Sequence, residues 1–202
     1  MSDMFSNAQI FNENISNWDT SSVTNMSSMF KYASVFNQNI NSSSDGSKWD
    51  TSKAKSMNSM FDTAKKINQD ISDWDTSEVE DMSYMFKYAS VFNQNINSSS
   101  DGSKWDTSEV TYMQGMFAYA YEFNQDIGDW DTSNVESMKS MFEYTAQEGG
   151  GLNKDISSWN VDPANGGSVD DRRYFDSLEN SSWIADHKPN FSASSTWDES
   201  GI

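Results

Sequence analysis

Twelve methionines fall into six Met-x-x-Met pairs: Met1/Met4, Met26/Met29, Met57/Met60, Met82/Met85, Met113/Met116 and Met138/Met141, each followed at once by a phenylalanine. Soft thioethers at that spacing could ligate Cu(I). However, the chain has no cysteine, and its one histidine, His187, lies beyond all six pairs. Each pair is flanked by Phe and mostly by Ala at core-like spacing, where methionine fills irregular gaps between packed segments. The pairs therefore read as core, and no cofactor is expected. A second metal possibility is Asn41-x-Ser43-x-Asp45-Gly46 with its copy Asn97-x-Ser99-x-Asp101-Gly102, an echo of a calcium loop with glycine at the sharp turn. Asn stands first, and Ser52 and Ser108 replace the bidentate glutamate at the twelfth place. Asp45 and Asp101 are thus a weak Ca²⁺ candidate, and more simply parts of a solvated loop. Carboxylates are plentiful, 31 in all, but the repeated Asp at one consensus position reads as turn chemistry. An acid/base pair needs two differently tuned environments, so identical repeats argue against catalysis. No catalytic residue is assigned, and an enzyme is not expected.

Binding is better served. Trp18, Trp49, Trp74, Trp105 and Trp130, continued by Trp159, occupy one recurring position. Aromatic rows can pack against a partner or a sugar ring, and tryptophan is enriched at binding hot spots. The plainer reading is a half-buried corner whose indole N–H finds one acceptor. These tryptophans and the inserted Asp45 and Asp101 are the candidate binding residues. The adjoining Asp-Thr-Ser (Asp19-Thr20-Ser21 and its equivalents) reads as an Asx-type turn. An asparagine row, Asn12, Asn37, Asn68, Asn93, Asn124 and Asn153, reads as a ladder whose amides satisfy backbone groups from repeat to repeat.

All these positions belong to one unit, Phe-Asn-x-Asn/Asp-Ile-Ser-x-Trp-Asp-Thr-Ser-x-Val-x-x-Met-x-x-Met-Phe-x-x-Ala. Units start at Phe11, Phe36, Ile67, Phe92 and Phe123, with a degenerate start at Leu152, at intervals of 25, 31, 25, 31 and 29 residues. The 31-residue units carry the same inserted segment, 41–48 and 97–104, between Ile and Trp, and 29–52 recurs letter for letter as 85–108. A unit this short cannot enclose a core alone, so repeats must stack and turn each apolar position into a row. Val23, Met26, Phe30 and Ala33 fit one stripe of a short helix. The reading favoured here puts short parallel strands near Ile-Ser-x-Trp and Val-x-x-Met and one helical turn at Met-Phe-x-x-Ala. Strands stacked at about 4.8 Å would give a rod core of roughly 30 Å.

The net charge of −18 opposes nucleic acid and an acidic lipid surface as partners. No apolar run reaches membrane-spanning length, so direct insertion is not expected. Met1 and Met4 stand in register with Met26 and Met29, so the chain opens in mid-repeat, as a fragment would, and no export signal is read. Residues 1–160 are the repeat domain: a partial first coil, five full coils and a degenerate sixth. Residues 161–202, with both prolines, are expected to cap the last apolar face or to form a tail.

The unit as it stands in 67–86, Ile-Asn-Gln-Asp-Ile-Ser-Asp-Trp-Asp-Thr-Ser-Glu-Val-Glu-Asp-Met-Ser-Tyr-Met-Phe, resembles the bacterial surface-protein repeat of mycoplasma-type lipoproteins, a family related to BspA-like leucine-rich repeats. The resemblance covers residues 1–160. It implies a leucine-rich-repeat-like, right-handed solenoid at an extracellular or cell-surface location, serving adhesion or the binding of a protein or glycan on another surface. The other roles weighed are a spacer that self-associates end to end and, more remotely, an ice-binding face of stacked Thr and Ser. The asparagine ladder gives a direct test: Asn68→Ala should lower the melting temperature more than Glu78→Ala, and equal shifts would remove the ladder.

Overall fold

The computed structural model describes residues 1–41, 49–97, 105–145 and 154–159. Asp45, Asp101, Leu152, Asn153, His187 and the expected cap at 161–202 lie outside the described residues.

Each Met-x-x-Met-Phe-x-x-Ala segment folds as a chain of overlapping turns. In the segment from Met26, the N–H groups of Met29, Lys31 and Ala33 donate to the carbonyls of Met26, Ser28 and Phe30, three residues back, at 2.9–3.2 Å. The alternate N–H groups, on Met26, Ser28, Phe30 and Tyr32, leave the segment. They donate to Ser56, Asn58, Met60 and Asp62 of the next repeat at 2.8–2.9 Å. The same alternation runs from Met57 to the repeat at Asp81, and from Met82 to the repeat at Tyr112. Two residues per segment make it possible by taking left-handed φ values, for example Ser28 (55°) and Tyr32 (61°), then Ser59 and Thr63, then Tyr84 and Tyr88. Each is the third residue of a four-residue turn, where a type II turn requires positive φ. In the repeat from Met113 that place is Gly115 (φ 59°), and a Cβ there would lie 2.5 Å from Cδ1 of Tyr84. Glycine fits because the Tyr84 ring covers the position.

This geometry overturns the expected fold class. The described residues contain no helix and no strand, only isolated bridge residues, among them the parallel bridges Asn25 to Ser56, Ser56 to Asp81, Asp81 to Tyr112 and Tyr112 to Ser137. A right-handed, leucine-rich-repeat-like solenoid with short parallel strands and a helical turn is therefore not what this chain forms. A left-handed residue every fourth position ends any right-handed helix at Met-Phe-x-x-Ala. At Ile-Ser-x-Trp the expected strand is replaced by turns. The Asn14 side chain accepts from the Ser16 N–H at 2.9 Å, and Trp18 N–H donates to Ile15 at 3.0 Å. Two further side-chain turns follow in that repeat, Asp19 to Ser21 and Asn25 to Ser27. Asn, Asp and Ser bond their own backbone two residues on, and so compete with regular structure.

Stacking aligns the apolar positions into rows, as the repeat requires. Phe5, Phe30, Phe61, Phe86, Phe117 and Phe142 stack on one another with centroids 5.5–5.9 Å apart. Phe36, Phe92 and Phe123 lie against this row at 3.9–4.0 Å within their own repeats. The methionines from Met26 to Met141 are buried among them. The asparagine row forms a ladder: the N–H groups of Asn37, Asn68, Asn93 and Asn124 donate to Oδ1 of Asn12, Asn37, Asn68 and Asn93 at 2.9–3.0 Å. Gln69, Gln94 and Gln125 add side-chain donors to the same oxygens.

Tryptophan ties the repeats across the core. Nε1 of Trp49, Trp74, Trp105, Trp130 and Trp159 donates to the carbonyls of Ile15, Ile40, Ile71, Ile96 and Ile127 in the preceding repeat, at 2.8–3.1 Å. Trp49 and Trp105 keep this register although each follows an inserted segment. Trp74→Phe should cost about 2–4 kcal/mol, because it leaves the buried Ile40 carbonyl without its donor and opens a void. Chemical denaturation would check it, and a cost below about 1 kcal/mol would refute the tie.

Candidate functional site

The left-handed position two residues after each phenylalanine aims its side chain out of the stack. It is filled by Asn7, Tyr32, Thr63, Tyr88, Tyr119 and Tyr144. The residue's own N–H fixes it to the next repeat: Tyr32 to Asp62, Tyr88 to Ala118 and Tyr119 to Glu143, at 2.7–2.9 Å. The rings consequently form a row on the outside. Tyr88 and Tyr119 stack at 4.4 Å, and Tyr119 and Tyr144 at 4.9 Å. Tyr84 shares Lys87 with Tyr88, Tyr112 stands in the bridge row with Asp81 and Ser137, and Tyr32, Tyr84, Tyr88 and Tyr112 are each 36–41% exposed. Large rings at that exposure are what interaction surfaces present.

Charged groups decorate the row unevenly. Lys31 Nζ lies 5.6 Å from the Tyr32 ring centre and pairs with Asp62 at 2.9 Å. Lys87 Nζ lies 5.2 Å from the Tyr84 ring and 5.6 Å from the Tyr88 ring. Farther along, carboxylates take over: the Tyr119 hydroxyl donates to Glu143 at 3.2 Å, and the Tyr112 hydroxyl to Glu136 at 3.4 Å. Partial burial, with the Glu143 charge and hydrogen bond behind it, pushes the Tyr119 hydroxyl up from its ordinary 10.0 to about 12. By contrast, the Ser52 hydroxyl and N–H hold the Asp50 carboxyl below its usual value.

The tryptophans named from the sequence stand elsewhere. Trp49, Trp74, Trp105 and Trp130 are buried, with Trp49 on Trp74 at 6.4 Å and Trp105 on Trp130 at 6.1 Å, so their ring faces are spent on the core. Trp18, in the first repeat, is 37% exposed. Asp45 and Asp101 lie outside the described residues. The threonine row is buried rather than presented: Thr20 hydroxyl donates to Asp50 and Thr76 hydroxyl to Asp106, at 2.7–2.9 Å. It offers no face to an ice lattice. Among the described residues no group of three or more His, Cys, Asp or Glu could hold a metal ion, and no helix is long and apolar enough to cross a membrane.

The tyrosine row was missed because tyrosine falls at unconstrained positions of the repeat unit. The available signal was register: Tyr32, Tyr88, Tyr119 and Tyr144 all stand two residues after the repeat's Met-Phe.

The raised Tyr119 value has a stability consequence. A hydroxyl held protonated by the fold contributes fully below its unfolded value and loses that contribution as pH climbs toward the folded one. Between pH 10.0 and about 12 the parent should therefore lose more stability than Tyr119→Phe does. Denaturation midpoints across that window would check it, and parallel curves would refute it.

No curated protein and no solved structure matches the chain. One family model does, over residues 1–101 and again over 98–168. The match agrees with the mycoplasma-type repeat in the resemblance above, and not with BspA-like leucine-rich repeats in particular. With most of its length covered, the chain belongs to the family described as Mycoplasma protein of unknown function, DUF285.

Proposed function

We propose that this chain is a non-enzymatic binding module that works at a cell surface and holds a protein partner along the side of its repeat stack, as adhesion requires. The observation that supports this most is the row of stacked tyrosines at Tyr88, Tyr119 and Tyr144, the first exposed and the other two half-buried, each fixed in a left-handed turn rather than on a free loop. Tyrosine gives large contact area at low entropic cost, and pre-ordering it lowers that cost further. A protein suits this row better than a glycan. Sugar rings bind aromatic faces, whereas Tyr119 has Tyr88 on one side and Tyr144 on the other, which leaves edges and hydroxyls outward.

Beads coated with the chain should adhere to animal cells, resist glycosidase treatment of those cells, and fail after mild protease treatment. Tyr88→Ser with Tyr119→Ser should remove most of the adhesion while the core tryptophan fluorescence is unchanged. Adhesion that ignores the double variant would overturn the reading. Absence of adhesion with concentration-dependent lengthening in scattering would favour the spacer role instead.

A further inference from the structure

Tyr88 and Tyr119 lie face to face, with ring centres 4.4 Å apart and planes 16° from parallel. Their backbones hold them there. Both residues are left-handed, and the Tyr88 N–H donates to Ala118, the residue just before Tyr119, at 2.9 Å. Tyr144 covers the other face of Tyr119 at a longer 4.9 Å and a steeper 23°. Tyr121 meets Tyr119 edge-on, at 6.4 Å and 85°. Tyr84 and Tyr112, equally exposed, stack on no other tyrosine among the described residues. A phenol lying face to face with a second phenol is the arrangement that oxidative coupling uses. Loss of one electron and one proton leaves a phenoxyl radical, whose spin lies partly on the ring carbons beside the oxygen. Those carbons bond through the π lobes that stand above the ring plane, so the partner ring must approach face on. The chain has no cysteine, so no disulfide can tie one repeat to the next.

We propose that Tyr88 and Tyr119 form a modification site at which hydrogen peroxide, acting through a one-electron oxidant of the haem peroxidase class, joins the two rings as dityrosine. Each phenol gives up one electron and its hydroxyl proton. Tyr119 passes its proton to the Glu143 carboxylate at 3.2 Å, and the exposed Tyr88 passes its own to water. One carbon–carbon bond forms between ring carbons that flank the two oxygens. The proton left on each of those carbons then moves to the oxygen beside it, which restores both phenols. In total the rings lose two hydrogens, and one hydrogen peroxide becomes two waters. The bond closes a loop from residue 88 to residue 119 and fixes one repeat to the next. It restricts the unfolded chain as a disulfide would.

The test treats the whole chain with hydrogen peroxide and a haem peroxidase, and reads dityrosine by its blue fluorescence and by mass spectrometry of a tryptic digest. Trypsin leaves Tyr88 in 88–104, Tyr112, Tyr119 and Tyr121 in 105–139, and Tyr144 in 140–154. The expected product joins 88–104 to 105–139 and is two hydrogens lighter than the two peptides together. Tyr88→Phe and Tyr119→Phe each keep a stacked ring that cannot couple. Each should cut the yield by about tenfold, because the advantage of two pre-positioned phenols is lost. Tyr84→Phe and Tyr112→Phe remove exposed phenols outside the stack and should leave the yield within about twofold of the parent. The joined parent should also unfold at a higher denaturant midpoint than Tyr119→Phe treated in the same way. A yield that rises with protein concentration, as joined dimers, would mean collision of exposed tyrosines and would overturn the site. So would a product that mainly joins 105–139 to 140–154, or a yield unchanged by Tyr119→Phe. A parent that stays unjoined, while free tyrosine couples in a parallel tube, would also overturn it.

Discussion

Everything in this molecule depends on where alternate backbone N–H groups go. A buried peptide group without a partner costs as much as a lost hydrogen bond, so each repeat must place all of its donors. This chain divides them: Met29, Lys31 and Ala33 close local turns, while Met26, Ser28, Phe30 and Tyr32 bond the next repeat. A helix would spend every donor locally, and a strand would send them sideways to two neighbours. The division needs left-handed φ at Ser28 and Tyr32, which disfavours an L residue by roughly 1–2 kcal/mol each. That cost is offset because each strained residue completes one turn and adds one bond between repeats. Strain of this kind persists only where the surroundings over-determine it. Here the stacked phenylalanines and buried methionines do so.

The same constraint explains where side chains point. The left-handed residue two places after each repeat phenylalanine turns its side chain away from the apolar rows. Tyr88 and Tyr119 are on the outside for a backbone reason, and their stacking at 4.4 Å follows from the spacing of the repeats. The tryptophans go inward because each indole N–H donates to a buried isoleucine carbonyl of the preceding repeat. Ile15, for example, accepts from both Trp18 N–H and Trp49 Nε1. Two aromatic residue types, each recurring, are thus assigned opposite sides by hydrogen bonding rather than by hydrophobicity.

That distinction marks what could be read from the sequence. The repeat, its register, the burial of the methionines and the asparagine ladder all follow from which residue types recur, and stacking converts recurrence into rows. Backbone conformation did not follow. Met26-x-x-Met29-Phe30-x-x-Ala33 has the periodicity of a helical stripe, and its apolar side chains do share one face. Yet that face is made by overlapping turns, because nothing in Ser28 or Tyr32 announces positive φ as a glycine would. Only Gly115 carries the signal, in one repeat of the series. The tyrosine site was hidden for the same reason: which of the unconstrained positions faces outward depends on turn conformation, not on composition.

Eight residues separate Trp49 and Trp105 from their preceding isoleucines, where two separate Trp18 and Trp74 from theirs, yet all four stand at the same position of the repeat. Closing a loop several times longer costs only on the order of 1 kcal/mol, since the entropy grows with the logarithm of length. The indole bond back to the preceding isoleucine carbonyl re-establishes register as soon as the chain returns. The corner between isoleucine and tryptophan is therefore a neutral port for evolutionary change. New sequence can enter there and be copied with its repeat while every interior row stays in phase.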